Sequence, residues 1–126
     1  MKVFELNGVW LDYWVARGHD KIVALPIDGS RQEVGFDYIP CYSTDWSLGG
    51  PIIERGKIVL LPPPAHAKDC QWCACSGAYF ETIHSMDGAQ EGPTPLIAGM
   101  RAFVVEKFGE EVPPTIVGDT TDTAAD

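Results

Sequence analysis

Between Pro40 and Glu54 the chain reads PCYSTDWSLGGPIIE, which sets aromatic, hydroxyl and carboxylate side chains beside a Gly-Gly pair. A segment that only connected two elements would need none of these. Aromatic faces, a fixed carboxylate and a permissive backbone together make the composition of a binding surface. The residues predicted to touch a ligand are Tyr42, Ser43, Thr44, Asp45, Trp46, Gly49 and Gly50, with Arg101 supplying a planar guanidinium suited to a carboxylate or phosphate. Three of these readings have structural alternatives. Arg101, one residue past Met100, is either an ordinary solvated charge or a guanidinium aimed at the 40–54 loop. Asp45, after Ser43-Thr44, can satisfy loop or helix N–H groups instead of a ligand. Gly49-Gly50 can form either a small anion-binding nest or a turn that needs positive φ. Neither a Walker phosphate loop nor a Gly-x-Gly-x-x-Gly fingerprint is present, because Ser47-Leu-Gly-Gly-Pro is not followed by Lys-Ser/Thr.

Residues for catalysis do not assemble. His19, His66 and His84 lie in separate segments outside any motif, and Asp45 and Glu54 could pair as acid and base only at a separation that the loop between them does not reveal. The run Cys70-Gln-Trp-Cys73-Ala-Cys75 has a two-residue gap that lets thiolates converge on zinc. A closed site would still need Cys41, His66 or His84, and the second half of a paired knuckle is missing. The expectation is free thiols, no metal and no cofactor.

With 126 residues the chain is sized for one domain. Its net charge of −9 is concentrated at the end, where residues 110–126 hold Glu110, Glu111, Asp119, Asp122 and Asp126 without a Lys or Arg. No basic footprint for direct nucleic-acid binding exists. No apolar run is long enough to span a membrane, and Met-Lys-Val-Phe-Glu-Leu does not open a signal peptide, so the expected location is the cytoplasm. The aromatic set Trp10, Tyr13, Trp14, Tyr42, Trp46 and Trp72 exceeds what a small core must hold. Part of it is expected to stack on a planar ligand such as a nucleobase, and the remaining apolar surface points to a homo-oligomer.

The elements that must position these residues read as an α+β domain, a small antiparallel sheet packed by two helices, over residues 1–112, with an acidic disordered tail over 113–126. Residues 1–6 form a short strand or extended lead-in. Asn7 caps a helix over about 9–17 that buries Trp10 and Trp14, and Gly18 ends it. Strands are predicted over 21–27 and 33–39, then the polar-aromatic loop, one helical turn from Pro51 to Arg55, and a buried strand over 57–61. Pro62-Pro63-Pro64 leaves that strand as polyproline; one or two strands follow over 70–84, and 85–92 is a loop. Thr94 and Pro95 open the last helix, whose stripe is Ile97, Met100, Phe103, Val104 and Phe108, and Gly109 stops it.

Three segments carry a family resemblance: the run at 40–54, LDYWVA at 11–16, and GPTPLIAGMRAFVVEKFGEEV at 92–112, which contains Met100-Arg101. Together they resemble the phage NinX-like family of small accessory proteins. The resemblance implies a phage protein acting in the host bacterial cytoplasm. Joined to the residues above, it leads to the expectation of a non-enzymatic accessory protein that binds and sequesters a small anionic, nucleotide-derived ligand. The helix-first layout and the Ser-Thr-Asp-Trp segment are similar, at fold level, to phage ligand sponges that counter Thoeris-type signalling defences. The alternatives are a protein-binding inhibitor of a host enzyme, whose acidic surface meets a basic partner, and a small enzyme acting on a nucleotide.

Overall fold

The computed structural model of the chain describes residues 1–66, 70–76 and 89–113. The order is a short 3-10 turn, Val3–Glu5, then α1 (Gly8–Gly18), α2 (Trp46–Gly56), β1 (Val59–Leu61), β2 (Trp72–Cys75), β3 (Gln90–Gly92) and α3 (Pro95–Phe108). The sheet is antiparallel in the order β1-β2-β3, with Leu60 opposite Ala74 and Cys73 opposite Glu91. The α+β class holds, with three helices among the described residues where two were predicted.

α3 is the axle of the domain. Thr94 accepts from Ile97 N at 3.1 Å and Pro95 pre-sets the first turn, so the predicted start is the observed one. Apolar residues occupy every face, and Leu96 and 98–105 are all buried; such a helix belongs inside the fold rather than on it. It packs against α1, α2, the 3-10 turn and all three strands. Phe108, predicted for the buried stripe, is 37% exposed and meets Trp14 edge-on at 5.4 Å. In α1 the buried run is 11–16; Trp14 is buried, whereas Trp10 is half-buried against Tyr13.

α2 is where local signals mislead. Gly49-Gly50 reads as a turn or nest and Pro51 as the first position of a single helical turn, yet the helix already starts at Trp46 and runs through all three, because Asp45 caps it and Ile52 is buried in the core on its inner side. Gly49 is needed there, since a Cβ would lie 2.5 Å from the Tyr42 carbonyl and 2.6 Å from Leu96 Cδ1. The predicted strands over 21–27 and 33–39 are absent: this stretch is turns and coil. Its β-branched residues find no ladder, and Ile22, Ile27 and Val34 stay exposed. What fixes it is polar. Arg31 pairs at 2.9 Å with Asp12, whose side chain is fully buried, and donates to the Ile39 and Pro40 carbonyls, while Asp37 N donates to Ile22 O at 2.7 Å. The segment 90–92, predicted as loop, is the edge strand β3 despite lacking apolar alternation. Residues 1–6 are not a strand. They form the 3-10 turn with one bridge, Lys2 to Glu111, and Val3 N donates to Glu110 O. Pro113 is described and exposed; the rest of the predicted tail, and the predicted strand residues 77–84, lie outside the described residues.

Candidate functional site

The predicted ligand residues fall into two groups. In the first, Tyr42 is buried with its ring stacked on His19 at 5.9 Å, and burial, then the Asp12 carboxylate, pushes its hydroxyl pKa up. Ser43 is buried and its N–H donates to Asp12 Oδ1 at 2.8 Å. Thr44 is exposed in a turn. Asp45 accepts from Ser47 Oγ at 2.7 Å and Ser47 N at 2.9 Å, which hold its carboxyl below the usual range. Gly49 is packed as described, and Gly50 lies in α2 with open space except for Trp46 Cε3 at 3.8 Å. Trp46 itself is 51% exposed. These contacts build the start of α2 and its seat on the core.

Arg101 stands apart. α2 meets α3 where Gly49 touches Leu96 and Ile53 touches Gly99. At about 100° per residue, Arg101 emerges roughly 140–160° around the helix from those positions. It points to the opposite side, towards the N-terminal segment and β3. Nε donates to Leu6 O at 3.0 Å and Nη1 to Glu91 O at 2.6 Å. Of five guanidinium N–H groups these bonds use two, so three have no protein acceptor among the described residues. The side chain is only 7% exposed, no carboxylate pairs with it among the described residues, and burial alone pushes its pKa down. A buried charge that lacks a counter-charge is costly and needs a compensating partner.

The space beside it is a cleft of about 490 Å³, lined by Lys2, Phe4, Gln71, Cys73, Ala89, Gln90, Glu91, Arg101 and Glu110. That volume suits a small-molecule ligand. The wall is assembled from distant pieces: β2–β3 pairing brings Cys73 beside Glu91, and the bridge of Lys2 to Glu111 closes the N-terminal side. Phe4 is 57% exposed, an aromatic face without a cover. The Cys73 thiol pKa is pushed up by burial and then by the Glu91 carboxylate. No single sequence motif marks the cleft, since its lining comes from five separate stretches, residues 2–4, 71–73, 89–91, 101 and 110, and only the fold joins them.

A second cavity, about 380 Å³, lies among Gly18, His19, Ile52, Arg55, Phe103, Glu106 and Lys107. His19 is sandwiched between Tyr42 and Phe103, at 5.9 and 5.2 Å, and its Nε2 is buried without a hydrogen-bond partner among the described residues. Burial, then Arg55, Lys107 and Lys21, lower its pKa. The C-termini of α1 and α2 meet here with the last turn of α3, and Arg55 and Lys107 offset their dipoles. The two cations therefore have a structural task already. The four cysteines are free thiols, and no group of three metal-ligating side chains occurs among the described residues.

A family model described as Bacteriophage P22, NinX matches residues 2–107. The chain belongs to this family. The match takes in α1, α2, the sheet and α3 as far as Lys107, and so includes Lys2, Phe4, Gln71, Cys73, Gln90, Glu91 and Arg101. No curated protein matches the chain. Among the described residues no helix is long and apolar enough to cross a membrane.

Proposed function

We propose that this phage protein is a non-enzymatic accessory protein that binds a small anionic, nucleotide-derived ligand in the Arg101 cleft. The observation that carries this reading is the buried guanidinium without a carboxylate partner among the described residues. An anion in the cleft would supply the missing counter-charge, and three unspent N–H groups are available to hold it. Phe4 offers a stacking face for a base, and Gln71 and Gln90 bring amide groups to the same wall. Sequestering a nucleotide signal of the host, in the manner of an anti-defence sponge, is the role such binding would serve.

The test is mass spectrometry of small molecules released when the purified protein is heat-denatured. A nucleotide-like mass, present in wild type and missing from a folded Arg101→Gln variant, is expected. Release of the same molecule from the variant at the wild-type level would refute the assignment to this cleft.

One observation favours a second reading, a protein-binding module acting on a host partner or on a second copy. The coil over 21–40 exposes Ile22, Leu25, Ile27, Val34, Phe36 and Tyr38, more apolar surface than a connector needs. Light scattering on wild type and Val34→Asp/Phe36→Asp separates the two occupants. Loss of a dimer in the variant supports self-association, and a monomeric wild type leaves only a foreign partner.

A further inference from the structure

The charges around the Arg101 cleft set which anions it can accept, an inference that rests on the binding reading above. Arg101 supplies one positive charge with no carboxylate partner among the described residues. Lys2, the other cation of the lining, is already bridged, its Nζ 3.5 Å from Glu111 Oε2. Two carboxylates, Glu91 and Glu110, share the wall. The charge of Glu91 is felt inside the cleft, because it adds to burial in raising the Cys73 thiol. A first negative charge on a ligand neutralises Arg101. A second meets a rim whose remaining charge is negative, on a chain of net charge −9. Ionised carboxylates only accept hydrogen bonds, so what they favour on a ligand is a hydroxyl or amino group, as on a ribose or a base.

We propose that Glu91 and Glu110 are specificity-determining residues that bias the cleft towards nucleotides carrying a single phosphate, with sugar or base donors turned to the two carboxylates, over polyphosphates. Arg101 takes the phosphate and Phe4 the base.

The experiment is calorimetric titration of the full chain with cyclic AMP, AMP and ATP, a series with one base and rising charge. In wild type the affinity falls on the order of threefold for each added charge at low salt, and less at high salt where exposed carboxylates are screened. Glu91→Gln/Glu110→Gln flattens the series while its melting temperature stays near wild type. Arg101→Gln loses all three ligands. ATP binding to wild type as tightly as cyclic AMP overturns the specificity assignment and leaves the binding reading standing. Failure of all three to bind folded wild type overturns both.

Discussion

Arg31→Met should be among the most damaging single changes at any partly exposed position. Arg31 keeps 24% of its side chain exposed, whereas its partner Asp12, 2.9 Å away, is fully buried. Removing the guanidinium leaves a carboxylate in the core with, among the described residues, only the Ser43 N–H to hold it, at 2.8 Å. Stranding one partner of a buried ion pair costs about 3–5 kcal/mol, and the two bonds from Arg31 to the Ile39 and Pro40 carbonyls are lost as well. The reverse change is milder. Asp12→Asn keeps an oxygen for Ser43 N and leaves a cation that water can reach, so about 1–3 kcal/mol is expected. The double variant, with neither charge, should be less destabilised than the sum of the singles by about 1–3 kcal/mol, as residues in direct contact are. Urea denaturation of the four proteins measures all terms. If Arg31→Met costs less than about 1 kcal/mol, the ion pair does not anchor the 21–40 coil and the reasoning fails.

The two glycines of α2 should respond oppositely. Gly49→Ala drives a Cβ against the Tyr42 carbonyl and Leu96 and should cost about 1–3 kcal/mol by overpacking, whereas Gly50→Ala meets nothing closer than 3.8 Å and should be neutral or stabilise by up to about 1 kcal/mol, both read by thermal melting. Trp46→Ala, at a position 51% exposed, should cost less than the roughly 3–5 kcal/mol of a buried aromatic deletion, and a larger loss would place it in the core. His19, whose folded pKa is lowered by burial and then by Arg55, Lys107 and Lys21, binds its proton less readily folded than unfolded. Its contribution is therefore complete above the unfolded value of about 6.5 and is lost as pH falls from there towards the folded value. Stability measured across that window should rise with pH in wild type and rise less in His19→Gln.

What could be read from the sequence was what local rules decide. Thr94, Pro95 and Gly109 bound α3 because capping and proline geometry act within one turn, and Asp45 was recognised as a residue that could satisfy helix N–H groups. Where packing overrules propensity the reading failed. Gly49, Gly50 and Pro51 disguised α2, and the β-branched run at 21–27 lacks a partner strand. The site shows the same division. Arg101 could be singled out as a guanidinium for an anion, but its direction could not, because that depends on which face of α3 meets α2. Lys2, Phe4, Gln71 and Glu91 carry no local pattern, and only sheet register and the pairing of the chain's first residues with 110–112 bring them together.

The most direct test of the Arg101 cleft is NMR of the arginine Nε–Hε resonances during titration of the full chain with AMP. The expected result is a saturable shift of the Arg101 signal together with the amides of Phe4 and Glu91, while the amides of Thr44, Asp45 and Trp46 stay in place. Saturable shifts at the 42–46 segment with the Arg101 signal unmoved would contradict the account.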